Sequence, residues 1–203
     1  MNSDWKKLEA ILNNYEIRES IMNSWEYLIS ILPELATIEG FDQKSIYHDK
    51  DVLEHTLFAM EHIAQVNRKN SKTNPRLMLA MLLHDIGKPE VFTYDEETSK
   101  GHMKKHQKAS EVIAIRFMKE LDLPEDFIEY TSKLILLHDD YSARDDESMR
   151  EQVRVYDESF GRDFLEDFNL LQEADVLAHS PLGQERITII ELRKKHMKLR
   201  FGN

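Results

Sequence analysis

The sequence has no cysteine. That excludes disulfides, a thiolate zinc site and a thiol nucleophile, and it leaves the redox compartment open. Glycine and proline are scarce, six and five in 203 residues, which argues against a turn-rich all-β fold. No apolar run approaches the roughly eighteen residues of a membrane span. The first residues, Met1-Asn2-Ser3-Asp4-Trp5-Lys6, lack the apolar stretch of a signal peptide. A soluble cytoplasmic protein with no membrane partner is the expectation. Positive charge is also in short supply: 27 Lys and Arg stand against 38 Asp and Glu, a formal net charge of -11. General nucleic-acid binding needs a basic face and is not expected. A local basic cleft stays compatible with this charge, and bound divalent cations would offset part of it.

What is present points to helices. Hydrophobic residues make up 41% and charged residues 32%, the balance of a modest core under much helical surface. Residues 4–32 read as one or two helices, with Trp5, Leu8, Ile11 and Leu12, then Ile21, Trp25, Leu28 and Leu32, at helical spacing. This segment carries no chemistry and reads as a packing arm. A helix starts near Asp51, a plausible N-cap, with the stripe Val52, His55, Ala59, Ile63, Val66. Asn74 and Pro75 open another, apolar on all sides from Leu77 to Leu83 and therefore buried all round. It runs into His84-Asp85-Ile86-Gly87-Lys88-Pro89, where Gly and Pro stop it. Val91 to His102 suggests a short hairpin. Helices follow from about Lys104 to Leu121, from Pro124 to His138, from Gly161 or Arg162 to Ala178, and from Ile187 to Leu199. Asp139 to Glu151 reads as an acidic loop. The fold class is all-α, with roughly seven to nine helices in a single domain spanning 1–203. Its core covers about 41–180, between an arm over 1–40 and a C-terminal amphipathic helix over 185–200.

Ionisable residues interrupt these apolar stripes in a regular way. His55, His106, His138 and Asp175 each replace an apolar residue on a separate helix, and a fifth helix ends in His84-Asp85. One such histidine alone is an ordinary core residue. Six ionisable groups on five helices would need an unusually complete hydrogen-bond network unless a cation joins them. Histidine and carboxylate without sulfur suit Mn, Fe, Co, Ni, Zn or Mg. His62, His179 and His196 read as surface or packing residues. His48 and His102 fall in loops, where functional residues concentrate.

His55, then His84-Asp85, then Asp175 resembles the H…HD…D motif of the HD-domain superfamily, all-α metal-dependent phosphohydrolases. The resemblance covers about His48 to Ala178. The stretches Asp51 to Leu57, Leu82 to Pro89 and Gly101 to His106 are similar to the HD domain attached to bacterial tRNA nucleotidyltransferases. His106 and His138 sit where two-metal members place further ligands. His138 is followed by Asp139, not by a second histidine, and the Gly-Tyr-Pro triplet of the cyclic-dinucleotide phosphodiesterases is absent, so that substrate is not expected. No Gly-Ser with a following Asp-x-Asp on a strand is found, and a stand-alone HD protein is expected.

The resemblance implies one or two divalent ions. His55, His84, Asp85 and Asp175 would hold one, and Asp85 would bridge to a second held by His106 and His138. The implied activity is hydrolysis of a phosphomonoester or phosphodiester, on a nucleotide or similar small phosphate ester, by a metal-activated hydroxide. Asp85 and Lys88 are the catalytic candidates. Lys88 follows the Gly87 break and is the candidate cation for phosphoryl oxygens; the alternative is an exposed lysine past a helix end. Lys88, His102 and His48 are the candidates for substrate contact. Two rival readings use the same fold: a non-catalytic HD module that binds a nucleotide or a partner protein, and a di-iron oxygenase. Substrate identity and oligomeric state are not specified by any motif.

Overall fold

The structure is a computed structural model that describes residues 2–202. In chain order it contains α1 (Ser3–Leu12), α2 (Ile17–Asn23), α3 (Trp25–Ile31), α4 (Val52–Lys69), α5 (Pro75–Leu83), the single-turn α6 (Lys88–Val91), β1 (Thr93–Asp95), β2 (Lys100–His102), α7 (His106–Glu120), α8 (Glu125–Leu137), α9 (Asp146–Phe160), α10 (Arg162–Ala178) and α11 (Ile187–Phe201). The class is all-α, with one antiparallel hairpin in which Thr93 faces His102.

The bundle is built around α5. Asn74 caps it by accepting from the Leu77 N–H at 3.1 Å, and Pro75 takes the first turn, where no N–H is needed. Every residue from Leu77 to Leu83 is buried. Each such aliphatic side chain contributes roughly 1.5–3 kcal/mol over an exposed one. Helix α5 lies against α4 and α8, α4 packs along α10, and α7 packs along α8. Helix α4 starts where Asp51 accepts from the Glu54 N–H at 2.8 Å, and its buried stripe includes Val52, His55, Ala59 and Ile63.

One close approach fixes the end of α5 against α7. The Gly87 N–H donates to Ser110 Oγ at 3.0 Å. A Cβ at Gly87 would sit 2.5 Å from the Ser110 backbone nitrogen and 2.7 Å from Ala109 Cβ. Only a residue without a side chain lets the turn after His84-Asp85 lie this close to α7, one turn beyond His106.

Beyond the single turn of α6, the helix count exceeds roughly seven to nine for two local reasons. The arm breaks into three helices, at Asn13-Asn14 and at Ser24, residues whose side chains compete for backbone groups. Its apolar residues Trp5, Leu8, Ile21 and Leu28 are buried, and Trp5 meets Phe127 edge-on at 5.1 Å. The second reason is α9, which occupies part of the stretch read as loop. Asp145 and Ser148 form a reciprocal capping box at its start, and Met149, Gln152 and Val153 form its buried stripe. That stripe is short and partly polar, so periodicity alone does not reveal it. On α11 the inward residues are Ile190, Arg193 and His196.

Candidate metal centre

Five helices converge on one buried point. His55 comes from α4, His84 from the C-terminal end of α5 and Asp85 from the turn after it. His106 is the first residue of α7, His138 caps α8, and Asp175 lies in the last turn of α10. All six are buried. The groups divide in two, His55 with His84 and Asp175, and Asp85 with His106 and His138, each with ligand atoms within 4.8 Å of one another. The Asp85 carboxylate lies between them. Its Oδ2 is 3.2 Å from His84 Nε2 and 3.7 Å from His55 Nε2. Its Oδ1 is 3.2 Å from His106 Nε2 and 3.6 Å from His138 Nε2.

Three of the histidines are held the same way. Nδ1 of His84 contacts the Met81 carbonyl at 2.7 Å, Nδ1 of His106 the Met103 carbonyl at 2.9 Å, and Nδ1 of His138 the Ile135 carbonyl at 2.7 Å. A carbonyl oxygen only accepts, so each Nδ1 carries the hydrogen. In the neutral ring Nε2 is then a lone pair aimed inward, the arrangement found in metal-ligating histidines. Those lone pairs face other acceptors: His106 Nε2 and His138 Nε2 are 3.0 Å apart. His84 Nε2 is buried without a hydrogen-bond partner, and Asp85 Oδ1 faces the His106 and His138 nitrogens. Such groups are costly to bury unless protons or cations lie among them. The donor set, all nitrogen and oxygen, fits divalent transition metals or Mg.

The charges favour the same occupants. Burial alone would lower His84, but Asp85 and Asp175 outweigh it and push the imidazole up to about 10. Burial alone would raise Asp85; the charges of His84 and Lys88, with His106 and His138 beside it, hold it well below the usual carboxylate range. Asp175 is held low in the same way, by His179 and by its 2.8 Å contact with His55 Nε2. The centre therefore keeps two carboxylates ionised and draws positive charge toward them.

Lys88 is not exposed. It is buried, with Nζ 2.5 Å from Asp85 Oδ2 and donating to Gln43 Oε1 at 2.7 Å. Gln43 carries no sequence signal and is a residue that pattern reading misses. His48 and His102 both line the cavity above the centre, of about 370 Å³. His48 is half-buried and His102 exposed. His179, read as a packing residue, belongs to the same cavity wall, with its ring 4.5 Å from His48 and 5.1 Å from His55. Its position one turn after Asp175 is the signal that could have found it. Burial lowers His48 to about 2 and His179 to about 4, so both are neutral at pH 7. His62 is half-buried and lies outside this cavity, and His196 pairs with Asp146 at 2.9 Å.

Behind the centre lies a buried polar chain. Gln172 on α10 donates to the His138 carbonyl at 2.7 Å and to the Asp140 carbonyl at 3.1 Å. Its own Oε1 accepts from Arg193 Nη1 at 2.6 Å. Arg193 is wholly buried, lies over the Phe168 ring at 4.6 Å, and also donates to Gln152 at 3.2 Å.

An all-α bundle with paired His/Asp groups at one end of its central helix defines a class of helical metal-site domain. The family model described as HD domain matches residues 52–192, and the chain belongs to that family. Two relatives are similar over much of the chain. An A-adding tRNA nucleotidyltransferase of Deinococcus radiodurans is 28% identical over 171 residues, covering 83% of this chain and 37% of that protein. A CC-adding tRNA nucleotidyltransferase of Thermus thermophilus is 29% identical over 154 residues, covering 76% and 33%. The chain thus spans about a third of the length of the curated relatives it matches. Among the described residues no helix is long and apolar enough to cross a membrane.

Proposed function

We propose that the protein is a metal-dependent phosphohydrolase acting on a nucleotide or a similar small phosphate ester. The observation that carries this reading is the Asp85 carboxylate, with one oxygen turned to His55 and His84 and the other to His106 and His138. In this reading His55, His84 and Asp175, with Asp85, would hold one divalent ion, and Asp85, His106 and His138 would hold another. Such ions, when bound, supply Lewis acidity toward water and phosphoryl oxygens. The chain supplies the rest. The backbone clamps on Nδ1 keep the three imidazoles from turning. Lys88 holds Asp85 in place and offers the nearest ammonium to a phosphoryl oxygen entering from the cavity. His48 and His179, both neutral, offer ring nitrogens to the substrate without adding charge. Hydrolysis forms a bond from water oxygen to phosphorus and breaks the bond from phosphorus to the leaving oxygen, which takes up a proton. The names of the relatives concern tRNA; the acidic overall charge favours a small substrate.

The test is phosphate release from a panel of nucleotides by protein loaded with Mn, Co, Ni or Mg, against the same protein after chelation. Release that needs the metal and is lost in Asp85→Asn supports the reading. Protein that binds no metal, or that releases no phosphate from any substrate, overturns it.

A further inference from the structure

The cavity over the metal centre has a second feature, which rests on the hydrolase reading and concerns what the substrate carries besides the bond that is cut. In a chain of net charge -11, the lining includes Lys44, Lys88, Lys100, Lys104, Lys105 and Arg186. Three of these already have carboxylate partners: Lys44 pairs with Asp42 at 2.6 Å, Lys88 with Asp85, and Arg186 with Asp139 at 3.0 Å. Among the described residues Lys100, Lys104 and Lys105 have no carboxylate within 4.0 Å, and all three are exposed. They lie on one short segment that runs from β2 to the start of α7.

That segment is fixed. The Gly101 N–H donates to the Lys44 carbonyl at 2.9 Å, and a Cβ at Gly101 would collide with the Gln43 carbonyl oxygen. Lys105 has a φ of 65°, in the left-handed region. A non-glycine residue is strained there. The strain sits at Lys105, the last of the unpaired lysines, directly before His106, the first residue of α7.

A different part of the wall is apolar. Ile46 and Tyr47 line the cavity and are 58% and 48% exposed. Their backbone is pinned: the Ser180 N–H donates to the Tyr47 carbonyl at 2.9 Å, and Ser180 Oγ to the Ile46 carbonyl at 2.8 Å. An exposed aromatic on a pinned backbone, beside an aliphatic side chain, is a surface on which a flat ring stacks.

We propose that the cavity takes a nucleoside carrying at least two phosphate groups. The terminal phosphate lies at the His/Asp centre, the next one against Lys100, Lys104 and Lys105, and the base on Tyr47. The unpaired lysines span only residues 100–105 on an otherwise acidic chain, which suits a second phosphate on a small molecule better than a strand needing a long basic track. With adenosine diphosphate, water oxygen bonds to the terminal phosphorus and the bridging P–O bond breaks. The products are inorganic phosphate and adenosine monophosphate.

The experiment uses the full chain loaded with Mn. Rates are compared on adenosine diphosphate and monophosphate, and calorimetry compares pyrophosphate with inorganic phosphate. The expected result is a preference of at least tenfold for the two-phosphate member of each pair. Lys100→Ala combined with Lys104→Ala should shrink both preferences at least fivefold, and Tyr47→Ala should lower the affinity for adenosine diphosphate relative to pyrophosphate. Preferences unmoved by the lysine changes overturn the subsite, as does faster turnover of a single-stranded oligonucleotide than of adenosine diphosphate. Absence of phosphate release from every probe, with lysine-dependent pyrophosphate preference retained, overturns the hydrolase reading and leaves the subsite standing. Circular dichroism checks that each variant is folded.

Discussion

The Gln172 side-chain amide donates to the backbone carbonyl of His138 at 2.7 Å. His138 is thus gripped from two sides, because its own Nδ1 already bonds Ile135 one turn back. Gln172→Leu removes that grip and also takes an acceptor from the buried Arg193. The expected cost is about 3 kcal/mol, since breaking a buried polar network strands its charged member. Urea unfolding measures it. Metal affinity at the His106 and His138 position should fall with it, and a variant with unchanged affinity would show that Gln172 serves the fold alone.

Asp85→Asn keeps the shape and removes the charge shared by both halves of the centre. Turnover should fall by at least about a hundredfold, and the metal bound per chain should fall as well. Because Lys88 leans on the same carboxylate, this variant also leaves a buried ammonium without its partner. Melting curves taken beside the metal analysis separate that loss from the catalytic one.

His106→Gln separates one metal from two. If His106 and His138 hold a second ion, the variant loses one equivalent and retains the one at His55, His84 and Asp175. Helicity should change little, glutamine being a good helix former. Equal stoichiometry and equal rates in parent and variant would leave a mononuclear centre.

Acid should loosen the metal-free protein between about pH 6.5 and pH 4. Burial depresses His179 to about 4 and His48 further. The unfolded chain therefore takes up protons in that window while the folded one does not. Stability from these two groups is present above the unfolded value near 6.5 and is lost as pH falls. His84, raised to about 10, is protonated in both states at the acid end of the window and contributes little slope there. The urea midpoint should fall from pH 7 to pH 5, and His179→Asn should reduce that fall.

Gly87→Ala should destabilise the protein by about 1–3 kcal/mol, because the added methyl meets α7 backbone, which cannot move aside. Thermal unfolding of the variant checks it.

The helices that carry the candidate centre are legible where a buried histidine or aspartate breaks an apolar stripe. His55 and Asp175 stand out on that ground, and Asp51, Asn74 and Pro75 mark where helices begin. The hidden parts depend on neighbours remote in sequence. Nothing local distinguishes Gln43 or Gln172 from any surface amide. Arg193 lies in a Lys- and Arg-rich tail that reads as solvated, yet its environment is a pocket built by α9 and α10. Helix α9 escaped for a related reason: its inward face is one methionine, one glutamine and one valine, and the charged residues around them look like a loop. Lys88 read equally well as an exposed lysine, and only the fold carries Gln43 to it.

The two halves of the centre differ in how much chain must be gathered to make them. His55 meets Asp175 across most of the domain, whereas Asp85, His106 and His138 come from α5, α7 and α8, which lie close together in sequence. Loop closure is slower and entropically dearer for the longer span. The Asp85, His106 and His138 half therefore has the shorter route during folding, and the other half waits for α10 to dock on α4. A divalent ion present during synthesis would meet the shorter-range half first and bias the remaining helices toward closure. Refolding in the presence of metal should then be faster in its early phase, not only more complete at its end.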